Sequence, residues 1–316
     1  MADAVLRPRA VAPGSRIAVV SPASSADPDR ITRGIAALRA LGYDAYAAEH
    51  AYGKHPPYFS GSPQDRAADL HRAFADPSVA GIMCTRGGYG SNYLLDLLDL
   101  DLIRAHPKPF FAYSDHTAIQ SWILDQIGLV AFHGPMAAAD FSCENGVHLA
   151  SFQSALTGGL VSVGAEQGIR ILRPGRARGT MYGGCLSILT ASLGTPCAPQ
   201  TEGKLLFLED IGVKPYQIDR MLRHMILAGK FEGVCGFIFG EMLNCVSAGT
   251  ATDLLEQVIL RVLEPFDVPI AIGLRSGHVS GGNVTLPFGI EAELLLENNQ
   301  PLLRYVEPAV SVDHAG

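Results

Sequence analysis

Short apolar runs and helical patterns alternate along the first half of the chain. Apolar residues recur at helical spacing from Pro28 to Leu41, after the capping residue Asp27, and again from Pro63 to Phe74. Short runs with strand character lie between these segments. The pattern predicts strands over 16–20, 44–48, 79–85 and 109–113, and further helices over 91–98 and 115–127. Strands that alternate with helices favour parallel pairing, with helices on both faces of the sheet.

The alternation stops in a glycine-rich stretch, GGLVSVGAEQGIRILRPGRARG (158–179), where we expect the domain boundary. Beyond it, the pattern predicts strands over 205–208 and 234–239, helices over 216–228 and 252–263, and short apolar runs over 269–274, 283–287 and 291–296. We therefore expect an α/β protein with an N-terminal doubly wound, mostly parallel sheet, helices on both its faces, and a C-terminal α/β or mixed β domain. The predicted division is 1–157 for the N-terminal domain, 158–179 for a linker and 180–316 for the C-terminal domain.

Composition narrows the class of protein. The 316 residues are 48% hydrophobic and 17% charged, as in soluble proteins with a sizeable core. A net charge of −7 argues against nucleic acid as a partner, because phosphates demand a basic face. The six cysteines form no CxxC pair, which favours a reducing compartment. The N-terminus lacks the apolar stretch of a secretory signal, and no window reaches the roughly 18 apolar residues of a membrane span, so we expect a cytoplasmic protein without a membrane partner.

Ser114 is the most informative candidate for chemistry. It stands in PFFAYSDHTAIQSW (109–122), where a strand-like run stops and helical spacing begins. A serine at such a corner has its hydroxyl exposed beside the first amides of the helix, which can receive negative charge. This is the geometry of a nucleophile elbow, although Ala112 stands where the motif usually has glycine. The alternative is a serine or aspartate that only caps the helix.

A serine nucleophile needs a base to take its proton and an acid to orient that base. Among the ten histidines, His133 follows a strand and His278 lies in a glycine-rich loop after a strand, so both are candidates. For the acid, Glu209 directly follows the apolar strand of LLFLEDIG (205–212), whereas Asp210 suits a turn or cap. The loop RGGYG (86–90) offers backbone amides for an anion or an oxyanion. It is not GxGxxG and lacks the Lys-Ser/Thr of a phosphate loop, so nucleotide binding is disfavoured.

Together these segments resemble the LD-carboxypeptidase family of serine peptidases, which includes murein tetrapeptide carboxypeptidases and a microcin-immunity branch. The resemblance covers nearly the whole chain. It rests on GSRIAVVSPAS (14–24), RGGYGSNYLLDLLD (86–99), YSDHTAI (113–119), HGPM (133–136), YGGCLSIL (182–189), GKLLFLEDIGVKPYQIDRML (203–222), FGEMLNC (239–245) and GHVSGGNVTLPFG (277–289). It implies Ser114 as nucleophile, Glu209 as orienting acid and His278 as general base. It also implies an oxyanion hole formed by the amide of Asp115 and a glycine of the 86–90 loop, for which we choose Gly88 over its neighbour at 87.

The resemblance implies a small peptide substrate from peptidoglycan, hydrolysed between the L-centre of a diamino acid and a terminal D-alanine. A free carboxylate is naturally bound by a bidentate arginine, for which Arg86 is the first candidate and Arg275 the second. The resemblance also suggests a homodimer, and nothing in the sequence requires a metal or organic cofactor. Two alternatives stay open: a microcin-immunity type peptidase that cleaves a peptidyl-nucleotide antibiotic, and a non-catalytic module that binds a small molecule. The single tryptophan, Trp122, lies on the expected nucleophile helix, which favours murein peptides over a nucleotide.

Overall fold

The computed structural model describes residues 5–246 and 253–312. Within these ranges the chain forms fourteen strands and eight α-helices. The strands are β1 (Arg16–Val20), β2 (Asp44–Ala47), β3 (Val79–Cys84), β4 (Phe110–Ala112), β5 (Ala131–His133), β6 (Ser162–Gly164), β7 (Arg170–Arg173), β8 (Gly175–Cys185), β9 (Lys204–Glu209), β10 (Gly236–Gly240), β11 (Ile270–Leu274), β12 (Leu286–Phe288), β13 (Glu291–Glu297) and β14 (Gln300–Tyr305). The helices are α1 (Pro28–Ala40), α2 (Pro63–Ala75), α3 (Leu100–Ala105), α4 (Thr117–Ile127), α5 (Leu149–Thr157), α6 (Leu186–Ala191), α7 (Pro215–Leu227) and α8 (Leu254–Val262). The helix expected over 252–263 is α8, and its predicted first residue lies outside the described ranges.

The first sheet carries the strands of the N-terminal half. Its order is β12-β5-β4-β3-β1-β2, and β1 to β5 are parallel. Along β1, Ile17 and Val19 join the hydrophobic cluster of α1, whereas Ala18 and Val20 join the cluster of α2 and α4. Helices therefore cover both faces of the sheet, as the alternating pattern predicted. The edge strand β12 comes from the C-terminal half and pairs antiparallel with β5.

The second sheet is mixed, as expected for the C-terminal half. Its order is β6-β14-β13-β8-β9-β10-β11-β7, in which β8 to β11 are parallel and the strands toward each edge are antiparallel. The central strands β9 and β10 are buried along almost their whole length. Continuous apolar runs such as LLFL are typical of parallel strands with both faces covered.

Two local expectations differ from the structure. The stretch 158–179, expected to be a linker, contains β6, β7 and the first half of β8, all paired within the second sheet. The segment 91–98, expected to be a helix, forms only a short 3-10 turn at Ser91–Leu94. The helix α3 begins later because the Asp99 side chain accepts a hydrogen bond from the Leu102 amide at 2.9 Å and so caps it. The division into two domains stays a prediction.

One hydrophobic core joins the two sheets. Phe111 and Phe132 of the first sheet belong to the same buried cluster as Phe207 and Leu274 of the second. Because protein interiors are close-packed, this shared cluster fixes how the two sheets lie against each other. Among the helices in the described ranges, none has both the length and the apolarity that a membrane crossing requires.

Candidate active site

The turn between β4 and α4 holds Ser114 in an unusual backbone conformation. Ser114 has a φ of 64°, in the left-handed region that residues other than glycine rarely adopt. It opens a 3-10 turn, Ser114–His116, which leads directly into α4 at Thr117. A serine strained in this way at a strand-to-helix corner is characteristic of a nucleophile elbow.

The glycine loop 86–90 lies directly against this turn. A Cβ atom on Gly87 would lie 2.7 Å from the Ser114 Cβ and 2.8 Å from its Oγ, so a side chain at position 87 would displace the serine. Gly88 follows with a φ of 111°, and a Cβ there would overlap the Ser24 hydroxyl. Neither glycine amide donates to a backbone carbonyl within the described ranges. The loop therefore leaves both glycine amides without a backbone acceptor, and Gly87 lies directly against the serine.

Asp115 and His116 bind that loop to the nucleophile turn. The buried Asp115 carboxylate accepts a hydrogen bond from the Ser91 amide at 2.8 Å. His116 Nε2 lies 2.8 Å from the Arg86 carbonyl oxygen, and its Nδ1 lies 2.7 Å from the Ser91 hydroxyl. Because a carbonyl only accepts, Nε2 carries the proton and the hydroxyl donates to Nδ1. Burial lowers the pKa of His116, which keeps this imidazole neutral. The partners of His116 are 25 and 30 residues away, so no local sequence pattern indicates this role.

Glu209 and His278 form a buried acid–imidazole pair. Glu209 ends β9 and is fully buried, and His278 lies in the loop after β11. Glu209 Oε2 accepts hydrogen bonds from the His278 amide at 3.0 Å and from its Nδ1 at 2.8 Å. Since Nδ1 donates to the carboxylate, Nε2 of the neutral ring is the nitrogen that can accept a proton.

Burial and charge act in opposite directions on this pair. Burial alone would raise the pKa of Glu209, but the facing charge and hydrogen bonds of His278 outweigh it, so the pKa lies below its ordinary value. Burial likewise works against the protonated form of His278, yet the Glu209 carboxylate raises the pKa of that imidazole above its ordinary value. The carboxylate therefore stays ionised, and the imidazole accepts a proton more readily than a free histidine.

Contacts between the two halves bring the Ser114 turn close to the Glu209–His278 pair. Cys185, at the end of β8, lies opposite Glu209 in the parallel ladder, and its amide donates to Thr117 Oγ1 at 3.0 Å. Thr117 is the first residue of α4. On the other side of the nucleophile, the Tyr113 ring is edge-on to the His278 imidazole, with the ring centroids 5.2 Å apart. The nucleophile turn is thus held next to the acid–imidazole pair from both of its ends.

The surroundings of His133 and Asp210, the other candidates for base and acid, suit structural roles. His133 is fully buried, its ring stacks on Phe288 at 5.3 Å, and neither ring nitrogen has a hydrogen-bond partner among the described residues. Burial lowers the pKa of His133 to about 4, so this imidazole is neutral and poorly suited to accept a proton. Asp210 accepts hydrogen bonds from the Ser187 and Ile211 amides at 2.8 and 2.9 Å, which is the turn chemistry expected for it.

The two candidate arginines differ in how they are held. Arg86 is exposed, and its guanidinium has no ion pair or hydrogen bond within the part of the chain that the structure describes. Arg275 is half-buried, and its guanidinium donates to the Glu166 carbonyl oxygen. Arg275 therefore already stabilises a neighbouring loop, whereas the Arg86 guanidinium is not bound to any described residue.

One other cluster has the donor atoms of a metal site. Glu49, His50 and Asp69 present ligand atoms within 4.8 Å of one another. The Arg72 guanidinium lies 3.0 Å from Glu49 and 2.5 Å from Asp69, and His50 Nδ1 lies 3.0 Å from Asp69. These carboxylates are already balanced by cationic and donor groups, so we assign no metal to the cluster.

A strained serine, a buried acid–imidazole pair and amides beside the serine are the components that acyl-transfer hydrolases require. Comparison with known proteins agrees with this class. Residues 17–134 match the LD-carboxypeptidase N-terminal domain, and residues 178–294 match the LD-carboxypeptidase C-terminal domain. The chain belongs to the LD-carboxypeptidase family. It is a serine-type peptidase, as its resemblance to the family predicted.

Individual proteins support the same family. A putative carboxypeptidase of Streptomyces coelicolor is 38% identical over 92% of this chain and 93% of the relative. A probable murein peptide carboxypeptidase of Bacillus subtilis is 36% identical over 91% of each. Among solved structures, an MccF-like protein from Bacillus anthracis has a TM-score of 0.88 at 28% identity, covering 96% of this chain and 100% of that one. The similarity extends through both halves, so the architecture of two sheets is shared.

Proposed function

We propose that this protein is a serine carboxypeptidase that hydrolyses the bond between the L-centre of a diamino acid and the terminal D-alanine of murein tetrapeptides. The observation that carries the proposal is the buried Glu209–His278 pair, at 2.8 Å, beside the strained turn of Ser114. Membership of the family supports the reaction. The substrate class is supported by the Bacillus subtilis relative, whose name is probable murein peptide carboxypeptidase.

In the proposed mechanism, Ser114 attacks the amide carbonyl while His278 Nε2 takes its proton. Glu209 stays ionised and holds Nδ1, which orients the ring and stabilises the imidazolium that forms. The proton then passes to the amine of the leaving D-alanine, and water activated by His278 hydrolyses the acyl-enzyme. The amides of Asp115 and Gly88 are the proposed donors to the oxyanion, each contributing roughly 3 kcal/mol to transition-state stabilisation.

Arg86 is the proposed partner of the substrate's terminal carboxylate. It directly precedes Gly87, which lies against the Ser114 turn, and its guanidinium has no competing partner in the described ranges. Arg275 is the second candidate, because its hydrogen bond to Glu166 would have to be shared with the substrate. A planar guanidinium binds a carboxylate through two parallel hydrogen bonds, which also fixes the direction of the peptide.

The proposal is tested by incubating the purified protein with murein tetrapeptide and following the release of D-alanine by mass spectrometry. Wild-type protein should release D-alanine. Ser114→Ala should not, while keeping the melting curve of the wild type. Ser162→Ala, at an exposed serine of β6, serves as the matched control and should retain full activity. No release by the wild type would overturn the substrate class, and release by Ser114→Ala would overturn the nucleophile.

The second candidate function is a peptidase that cleaves a peptidyl-nucleotide antibiotic. The similarity to the MccF-like structure favours it. Against it, Trp122 is partly buried and packs on the hydrophobic cluster of α2 and α4, so its ring is not free to stack on a base. Offering both substrates at equal concentration separates the two: faster cleavage of the nucleotide conjugate would favour this second candidate.

A cytoplasmic location and a homodimer also stay open as proposals. A module that only binds a small molecule is disfavoured by membership of a peptidase family, and covalent labelling of Ser114 by a serine-directed phosphonate would exclude it. Sedimentation equilibrium at several concentrations tests the homodimer, and fractionation of the source cells tests the location. The proposed mechanism itself uses residues of a single chain.

A further inference from the structure

Asp140 is a buried carboxylate that takes no part in the proposed reaction. It lies in a π-helical turn, Ala137–Phe141, after β5. Its Oδ2 accepts a hydrogen bond from the Met136 amide at 2.8 Å, and its Oδ1 accepts one from Asn283 Nδ2 at 3.1 Å. Asp140 belongs to the N-terminal half and Asn283 to the C-terminal half, so this bond crosses between the halves.

Both ends of the Asn283 side-chain amide form hydrogen bonds with the backbone of Gly277. Its Oδ1 accepts from the Gly277 amide at 3.1 Å, and its Nδ2 donates to the Gly277 carbonyl at 3.1 Å as well as to Asp140. Asn283 is fully buried. The carboxylate can only accept, so it fixes which end of the amide faces it and thereby sets how Asn283 binds Gly277.

Gly277 immediately precedes the proposed general base. A Cβ on Gly277 would lie 2.6 Å from the Glu209 carboxyl carbon and 2.8 Å from its Oε2, so the backbone here rests directly on the orienting acid. The next amide, that of His278, donates to the same oxygen at 3.0 Å. The position of the Gly277 backbone therefore sets where the imidazole of His278 is attached.

Tyr113 connects the same carboxylate to the nucleophile. Its hydroxyl lies 3.4 Å from Asp140 Oδ1, and its ring is edge-on to His278. Tyr113 directly precedes Ser114 in the chain. A single buried carboxylate thus contacts, on one side, the residue before the nucleophile and, on the other, the amide that holds the loop of the base.

We infer that Asp140 and Asn283 are positioning residues, which bridge the two halves and hold the Gly277 backbone so that His278 faces Ser114. This inference rests on the proposed function, since it concerns the same acid–imidazole pair. Neither residue touches the reacting atoms. Their effect is on geometry, and a displacement of about 1 Å in a catalytic group can lower a rate by about a hundredfold.

Charge provides a readout that purely structural packing would not change. The charged groups that act on His278 are Glu209, Asp210 and Asp140, and the neutral imidazole of His133 lies nearby. Burial raises the pKa of Asp140 to about 6, so this carboxylate is ionised above that pH. Replacing it by asparagine removes a negative charge that faces His278, and the pKa of the imidazole should fall.

The test uses the full chain and a serine-directed fluorophosphonate, whose reaction with Ser114 depends on His278 but not on the natural substrate. Asp140→Asn and Asn283→Asp keep the shapes of the side chains. The first places an NH2 group where one of the two acceptor oxygens of Asp140 now lies, and the second sets two carboxylates against each other. Each should slow labelling at neutral pH by about tenfold or more, with the kcat for D-alanine release falling and KM nearly unchanged. Nitrogen-15 NMR of labelled histidine should show a lower His278 pKa in Asp140→Asn.

Two further variants keep the outcome decisive. Thr285→Val is the control: Thr285 is buried in the same segment, its hydroxyl has no partner in the described ranges, and labelling should be unchanged. Tyr113→Phe removes only the hydroxyl and should slow labelling modestly. If neither Asp140→Asn nor Asn283→Asp folds, the labelling rate of Tyr113→Phe decides whether the inference holds. Folded variants that label at the wild-type rate with an unshifted His278 pKa would overturn the inference. A wild type that is not labelled at Ser114 would instead overturn the proposed function, and labelling without D-alanine release would overturn only the substrate class.

Discussion

Glu209 concentrates its interactions in one oxygen. Oε2 accepts both hydrogen bonds from His278, whereas Oε1 has no partner among the described residues. Removing an ionised carboxylate from water costs several kcal/mol, so its charge depends on the facing imidazole. The pair therefore titrates as a unit in which each member favours the ionised form of the other.

Glu209→Gln should change the pH dependence of the reaction as well as its rate. In the wild type, kcat/KM should fall as the pH drops through the raised pKa of His278, because only the neutral ring can accept the serine proton. Glutamine provides no negative charge, so the pKa of His278 falls and the acid limb moves to lower pH, while kcat falls by about three to four orders of magnitude. Profiles of kcat/KM against pH measure the shift.

Glu241→Gln is the matched control, since Glu241 accepts a hydrogen bond from the Ser280 amide in the same loop. The acid limb of this variant should stay at the wild-type pH. If the acid limb of Glu209→Gln stayed at the same pH as in the wild type, the assignment of His278 as the base would be contradicted.

Gly87→Ala should abolish activity through a single methyl group. The added Cβ would lie 2.7 Å from the Ser114 Cβ, closer than such atoms approach in proteins, so the turn or the loop must move. Gly281→Ala is the comparison, because its added methyl meets nothing closer than the Asn145 carbonyl at 3.4 Å. Activity assays with melting curves on both variants check this. Near-normal turnover in Gly87→Ala would show that the loop can move away from Ser114 without loss of function.

Arg66 of α2 holds together the loops that surround the glycine loop. Its buried guanidinium donates to the carbonyl oxygens of Pro22 at 2.6 Å, Gly90 at 2.8 Å and Gly61 at 3.1 Å, and it lies 4.9 Å from the centre of the Phe59 ring. Three loops, after β1, after β3 and before α2, are thus joined by one side chain. The helix α2 therefore helps to hold the glycine loop in place, together with the hydrogen bond from His116 to the Arg86 carbonyl.

Arg66→Met should destabilise the protein and impair the site together. The substitution leaves three carbonyls without their donor, which we expect to lower the free energy of unfolding by roughly 2–4 kcal/mol. The glycine loop loses the hydrogen bond that holds it at Gly90, so kcat should fall even in conditions where the variant is fully folded. Arg33→Met, at an exposed position of α1, should change the stability by less than about 0.5 kcal/mol. Urea unfolding and kinetics on both variants test this, and a stable, fully active Arg66→Met would refute it.

Local patterns in the sequence indicated most elements but not how they meet. Periodicity predicted α1, α2 and α4 because each carries an apolar stripe and, for the first two, a capping residue. The prediction of a helix over 91–98 was wrong. The leucines of this segment have helical spacing, but the helix begins later, after the capping side chain of Asp99. Glycines in 158–179 concealed strands whose pairing partners lie far along the chain. The strand-to-helix corner indicated Ser114, but Glu209 and His278 are 69 residues apart, and only the family resemblance could join them.

At the scale of the molecule, the two halves are interdependent. The strand β12 belongs to the C-terminal half in sequence and to the first sheet in structure, where Leu286 lies opposite His133. The shared core adds side chains from both sheets to one cluster, including Phe132 and Phe207. A chain built in this way should unfold as one cooperative unit.

A fragment of residues 1–157 should therefore not fold stably, even though it matches the predicted N-terminal domain. It lacks β12 and the part of the shared core that the second sheet contributes. Circular dichroism on heating should show no cooperative transition for the fragment and a single one for the full chain. A fragment that melts cooperatively near the temperature of the full chain would support two independent folding domains instead.

The loop that carries His278 runs from β11 in one sheet to β12 in the other, so it is anchored at both ends to different layers. A change in the packing between the layers would therefore shift the imidazole, because close-packed interiors transmit strain. Substitutions far from the site, wherever the layers touch, can thus tune turnover without touching the peptide. In this architecture the packing between the layers also sets the geometry of the site.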